Sequence, residues 1–284
     1  PGNAEAHNLL GNVLKDQGAL EGAIVAFETV LNLQPDHLMA RLNLAALYRQ
    51  IGEINVAFDN LVAIKSVVGG AARYRNEMGL TYLFDGQPYQ AGQFFKAALS
   101  VDPTNTEYLN NLGLSLRNRG RIKEAIATYD LAVDLQPQYG EARWNRSIAH
   151  LKLSNWEKGL SDWGWRRHHS DFRERNLPQP LWTGSKLRKG TLLIHSEQDV
   201  SDEVLYTGLI PLVQNITPNV ALETDSRLEK LVRRSYPEIE VFARTQVNHH
   251  RYFADDLVAR IPSPDLVPLI GGKGPDKAIP PAYL

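Results

Sequence analysis

A period of 34 residues constrains this chain more than any other feature. Copies started at Ala4, Leu38, Ala72, Thr106 and Gly140 fall into register without an insertion or deletion. The eighth position then reads Gly11, Ala45, Gly79, Gly113 and Ser147, and the fifteenth reads Gly18, Gly52, Gly86, Gly120 and Ser154. The twentieth reads Ala23, Ala57, Ala91, Ala125 and Gly159, and the thirty-second reads Pro35, Gly69, Pro103 and Pro137. The most regular copy runs from Thr106 to Tyr139. Leu112, Gly113 and Leu116 share one helical face, and Gly120 interrupts the pattern. Ala125, Ile126, Tyr129, Ala132 and Val133 then form a second apolar stripe that Pro137 closes. Apolar spacings of three and four, with Gly as a stop and Pro as the final breaker, specify two helices per copy. Neither helix buries its stripe alone, so such units are stable only when stacked. Small residues at positions eight and twenty admit close helix approach, and Gly at fifteen supplies a left-handed turn residue.

In period and in these small positions, residues 4 to about 167 resemble the tetratricopeptide repeat. The resemblance implies an all-α solenoid of five repeats in a right-handed superhelix, a domain over residues 4–173. Its first helices would line a concave groove that takes a protein or peptide. Positions two, five, six, nine, twelve and thirteen would face that groove. Position six reads Leu9, Asn43, Glu77, Asn111 and Asn145; position five adds Asn8, Asn76 and Asn110, and position nine adds Asn12. Asn is a mediocre helix former, so its recurrence on one face asks for a reason. An amide offers donors and an acceptor together, which suits gripping a peptide backbone without reading its side chains. The row resembles the asparagine ladder of the O-linked N-acetylglucosamine transferase superhelix at Asn43, Asn111 and Asn145, with breaks at Leu9 and Glu77. Removing Asn111 and Asn145 is expected to weaken a peptide partner without unfolding the chain. A solvated polar groove with no ligand is the alternative. Clamp-type repeats that hold a chaperone's terminal carboxylates are matched at Asn12, Asn43 and Arg73. Asn8 and Glu77 stand where that pattern needs cations, and Glu77 would repel a carboxylate.

The fifth copy is aromatic, with Trp144, Trp156, Trp163 and Trp165 followed by Arg166, Arg167, His168 and His169. A terminal helix must present a polar face or bury its apolar one, and the tryptophans predict burial against a following domain. The adjacent histidines point in different directions on a helix and have no metal-site spacing.

From Asn176 the pattern changes. Leu177-Pro178-Gln179-Pro180-Leu181-Trp182 reads as an extended connector, within a linker over 174–190. Predicted strands at 191–195, Val220–Glu223, Glu240–Ala243 and Leu257–Ile261 alternate with helices over 202–214 and Arg227–Ser235. Such alternation specifies a parallel sheet with ligands beyond the strand C-termini. The tract resembles bacterial proteins that join tetratricopeptide repeats to a glycosyltransferase-like module of two Rossmann halves. The resemblance rests on Leu177–Trp182, Leu192-Leu193-Ile194, Glu197-Gln198, Asp202-Glu203, Ile210-Pro211-Leu212, Glu223, Arg227-Leu228 and Arg234-Ser235-Tyr236-Pro237. It implies a partial α/β Rossmann-like domain over 191–270. Residues 271–284 would then link to a second half that holds a nucleotide sugar in the full-length protein.

The family's E-Q-G-x-G-D loop here reads Glu197-Gln198-Asp199-Val200-Ser201-Asp202, so both glycines are gone. The acids suit a helix N-terminus but repel phosphate, which leaves Ser201 as a helix cap and no cofactor site in this chain. His195 and Glu197, at a strand's C-terminal edge, are the candidate catalytic residues. No transferase activity is expected from the chain alone.

The chain carries 31 basic and 32 acidic residues, and this balance provides no field for nucleic acid. It has no Cys, no signal peptide and no apolar run of bilayer length, so a cytoplasmic location is the default expectation. Pro1-Gly2-Asn3 reads as the tail of a preceding repeat, equivalent to Pro103-Thr104-Asn105. The sequence leaves the oligomeric state open.

Overall fold

The computed structural model describes residues 2–168, 172, 175–197, 200–245 and 250–270, apart from the side chains of Ser201 and Asp202. Two compact units divide the chain, Pro1–Ala149 and His150–Leu284. The expected linker at 271–284 and the residues His169, Gln198 and Asp199 lie outside the described set.

The first unit is a run of helix pairs: α1 (Ala4–Asp16) and α2 (Leu20–Leu33), α3 (Leu38–Gln50) and α4 (Ile54–Val68), α5 (Ala72–Phe84) and α6 (Pro88–Leu99), α7 (Thr106–Asn118) and α8 (Ile122–Leu135), then α9 (Gly140–Lys152), which the division cuts after Ala149. Each first helix begins on the residue where the period starts a copy. Asn3, His37 and Asn105 cap α1, α3 and α7 by accepting from the backbone N–H of Ala6, Ala40 and Tyr108. At position fifteen Gly18, Gly52, Gly86 and Gly120 have φ of 75°, 88°, 72° and 74°. Ser154 holds the same left-handed turn at 58° with a side chain attached.

Packing inside each pair is matched by size. A Cβ on Gly11 would lie 2.8 Å from the Phe27 ring, one on Gly79 2.5 Å from Phe95, and one on Gly113 2.4 Å from Tyr129. Where position eight is Ala45, its counterpart is the smaller Leu61, and both are fully buried. Between repeats, Ala23, Phe27 and Val30 cluster with Ala40, Leu44 and Leu47 of the next copy. Ala57, Leu61 and Ile64 cluster likewise with Tyr74 and Met78.

The second unit carries α10 (Trp156–Ser161), β1 (Thr191–His195), α11 (Val200–Thr207), α12 (Ile210–Ile216), β2 (Val220–Thr224), α13 (Glu229–Ser235), β3 (Glu240–Ala243), β4 (Leu257–Pro262) and α14 (Leu266–Ile270). All described strand pairs are parallel, in the order β3-β2-β1-β4. Leu192, Ile194, Leu222, Val241 and Ile261 face one core with Ile210, Val213, Val232 and Leu266 from the helices. Leu193, Ala221, Phe242 and Leu257 face the other side, covered by Leu177 and Tyr252. Right-handed crossovers account for this. The steps from β1 to β2 and from β2 to β3 run one way across the sheet, and the step from β3 to β4 returns. The return therefore crosses the opposite face, where Tyr252 sits in a 3₁₀ turn.

Three expectations are corrected. The division falls after Ala149, not after residue 173, because the helical turn at Trp163–His168 is bonded into the second unit: Trp163 Nε1 donates to the Pro264 carbonyl at 3.1 Å. The stretch 174–190 is not a free linker. Leu177, Gln179 and Trp182 are buried, and Leu181 bridges in parallel to Arg260, capping β4. The helix expected over 202–214 is two helices broken before Pro211, whose ring removes a donor and fixes φ. The first begins at Val200, so Ser201 lies within its opening turn rather than at the cap.

Candidate functional site

The groove asparagines are side chains bonded between repeats. Asn43 Nδ2 donates to Asn12 Oδ1 at 3.2 Å, Asn111 Nδ2 to Asn76 Oδ1 at 2.9 Å, and Asn145 Nδ2 to Asn110 Oδ1 at 3.0 Å. Position six of one copy thus reaches position five or nine of the copy before it. Asn43, Asn76, Asn110, Asn111 and Asn145 are all buried. Position twelve reinforces the row: Arg49 donates to Glu77 at 3.0 Å and Arg117 to Asn145 Oδ1 at 3.0 Å. Glu77, which breaks the amide row in sequence, therefore continues it in structure as a carboxylate on an arginine. Asn76 Nδ2 donates in turn to Glu107 at 3.0 Å. Withdrawal of Glu107 from water, and next the charge of Glu77, raise its carboxyl above the ordinary range. Arg73, the third residue of the carboxylate-clamp pattern, is exposed and lies 3.7 Å from the Met39 sulfur.

This arrangement changes what substitution does. Changing Asn111 and Asn145 together to alanine leaves buried acceptors on Asn76 and Asn110 without donors. The loss of unfolding free energy is expected to be about 1–3 kcal/mol per site. Denaturant titration reads it, and an unaltered midpoint would show that the inter-repeat bonds contribute nothing.

The second constellation sits at the carboxyl edge of the sheet. His195 ends β1 and is 2% exposed. Its Nε2 lies 3.3 Å from Arg260 Nη1 and its Nδ1 3.3 Å from the Ser196 carbonyl. Arginine only donates, so Nε2 accepts and Nδ1 carries the proton. Burial moves its pKa down to about 4. The ring is thus neutral at physiological pH with both nitrogens occupied, which leaves no lone pair for a substrate proton. Glu197 has a side chain 7% exposed and receives Arg166 Nε at 2.9 Å and Nη2 at 2.8 Å. Arg166, 2% exposed, also donates to Asp265 at 2.6 Å. Burial is the largest influence on the Glu197 carboxyl and raises it above the ordinary range, against the lowering effect of Arg166. Both catalytic candidates are therefore brought to one edge, but each is engaged by an arginine.

Sequence reasoning missed the centre of this edge, which is Glu223. The end of β2 buries its carboxylate, and Arg175 Nη1 donates to Oε2 at 2.7 Å, Tyr252 Oη to Oε2 at 2.6 Å, and Ser196 Oγ to Oε1 at 2.9 Å. Burial, then the Glu223 bond, pushes the Tyr252 hydroxyl up to about 12. Glu203, near the start of α11, is buried. It receives Thr224 Oγ1 at 2.8 Å and the Asp225 N–H at 2.7 Å. Arg167, Arg175, His195, Glu197 and Arg260 line a small cavity of about 10 Å³ here, room for no more than a water molecule. No signal in the sequence pairs groups that stand so far apart along the chain. The only hint was arginine placed among tryptophans.

With this geometry in place, comparison with known proteins assigns the repeats. Residues 4–37 and 76–140 each match a family model described as tetratricopeptide repeat, and the chain carries that repeat. Protein FlbA of Caulobacter vibrioides is 25% identical over 288 residues, an alignment covering 85% of this chain and 48% of FlbA. The peroxisomal targeting signal receptor of Candida albicans is 28% identical over 190 residues, covering 51% of this chain and 31% of the receptor. The chain thus spans less than half the length of either relative. Among solved structures, a thermophilic TPR protein of Thermus thermophilus superposes with a TM-score of 0.54 at 20% identity, covering 59% of this chain and 92% of that one. An alignment over 85% of the chain exceeds the repeat unit, so the similarity to FlbA reaches the second unit. No described helix is long and apolar enough to cross a membrane.

Proposed function

We propose that the chain is a protein-binding tetratricopeptide scaffold, with its first-helix faces as a concave groove, joined to the acceptor-side half of a glycosyltransferase-like module. The observation that carries the binding role is what the amide row leaves over. Asn43 Oδ1 and Asn111 Oδ1 accept nothing and Asn110 Nδ2 donates nothing among the described residues, while their other atoms are fixed by neighbours. Spare acceptors and donors on immobilised amides are what an extended peptide backbone pairs with.

The second half of the reading is supported by the strand order β3-β2-β1-β4. It matches one half of a doubly wound sheet, whose crevice opens between β1 and β4. In this reading the donor sugar nucleotide belongs to a second half, and the chain is inactive alone. The alternative is an active protein or polysaccharide glycosyltransferase when that half is present. Calorimetry of this chain with uridine and guanosine diphosphate sugars is expected to show no binding. Micromolar affinity would overturn the division of labour.

A further inference from the structure

One joint of the stack is made differently from the rest. Between copies one and two, three and four, and four and five, an amide pair crosses the groove side: Asn43 with Asn12, Asn111 with Asn76, and Asn145 with Asn110. Between copies two and three the acceptor positions five and nine are Leu42 and Ala46, which offer no amide. Arg49 spans the gap, donating to Glu77 at 3.0 Å and to Thr81 Oγ1 at 3.4 Å. The covalent link is looser there too. Position thirty-two is proline at the other joints, with φ fixed by its ring, but here it is Gly69, followed by Gly70. α5 starts behind Ala71, whose methyl cannot cap a helix as Asn3, His37 and Asn105 do. The position-four arginine that ties the connector carbonyl reaches Pro35 at 3.0 Å and Pro137 at 2.6 Å, yet Arg75 stands 3.3 Å from Gly69. Apolar packing persists at the joint: Ala57, Leu61 and Ile64 cover Tyr74 and Met78, and the Phe58 and Tyr82 rings meet at 4.8 Å.

We propose that this joint is a hinge inside the repeat unit. Its apolar contact is the pivot, and the Arg49–Glu77 pair is the latch that holds the groove side shut. The two side chains are 9% and 14% exposed, so losing one partner strands a poorly solvated charge. At a joint with a proline link and a capped helix, such a charge stays trapped and the cost appears as lost stability. At this joint the glycines let the groove side open and water reach the charge. Copies one and two then move as one body against copies three and four. The inference concerns the stack by itself and needs no ligand in the groove.

The chain has no Cys, so introduced cysteines take spin labels only at chosen sites. Position twenty-two is exposed at Asp59, Gln93 and Ala127. Labels on D59C/Q93C span the glycine joint, and labels on Q93C/A127C span the next joint at equivalent positions. Distances from pulsed electron resonance are expected to be narrowly distributed for both pairs in the parent chain. E77A, or the milder E77Q where the alanine chain does not fold, should about double the width of the first distribution and leave the second unchanged. A46N/E77N, which copies the Asn12 and Asn43 arrangement, should keep the first distribution narrow, and N111A should leave the second narrow. A lower thermal midpoint in E77A with both distributions unchanged would show a merely structural ion pair and overturn the hinge. Equal broadening of both pairs, a broad first distribution in A46N/E77N, or broadening of the second by N111A would overturn it as well.

Discussion

Arg166→Ala is expected to cost the second unit about 3–5 kcal/mol, a large share of the roughly 5–15 kcal/mol that keeps a domain folded. The guanidinium is 2% exposed and holds Glu197 and Asp265 together. Its removal strands two carboxylates in a poorly solvated place, and that penalty is larger than the net worth of the pair itself. Thermal unfolding followed by tryptophan fluorescence reads the change, since the Arg166 guanidinium lies against Trp163, 5.7 Å from the ring centroid. The triple variant R166A/E197Q/D265N should recover part of the loss by removing the stranded charge. A cost below about 1 kcal/mol for R166A would mean that the carboxylates find water, and the edge would then be open and not sealed.

Gly113→Ala is the second large effect. An added Cβ would stand 2.4 Å from the Tyr129 ring, and that ring has no exposed surface toward which to move. Overpacking of this kind costs about 3 kcal/mol, and alanine's better helix propensity returns at most about 1 kcal/mol. The expected net loss is about 2 kcal/mol in denaturant titration of the repeat unit. G113A/Y129L, which copies the Ala45 and Leu61 arrangement of the second repeat, should regain most of it. If G113A alone is neutral, size matching between positions eight and twenty-four is not what packs the pair.

These two cases show what could be read from the chain and what could not. The start of every first helix followed from the period, because the constraint is local: a glycine turn and a proline stop recur at fixed distances. The small residue at position eight was legible too. Its reason, an aromatic ring sixteen residues on, required knowing which faces of the two helices meet. The strands of the second unit were legible as apolar runs, within a residue at either end. The buried edge was not, because Arg175, Ser196, Glu223 and Tyr252 look like ordinary surface residues until the topology brings them together. The amide row falls between these extremes. Its recurrence was visible, but the pairing of position six with positions five and nine depends on the offset between successive first helices, which no spacing within one helix reveals.

That offset has a mechanical consequence. Each asparagine pair stitches two neighbouring copies along one side only, like thread through one edge of a folded fan. A visitor that hydrogen bonds to the spare atoms of Asn111 or Asn110 touches two folds of the fan at once, so its arrival tugs on the seam. Dye labels on successive repeats would then register occupancy as a change in distance, with no reporter on the visitor.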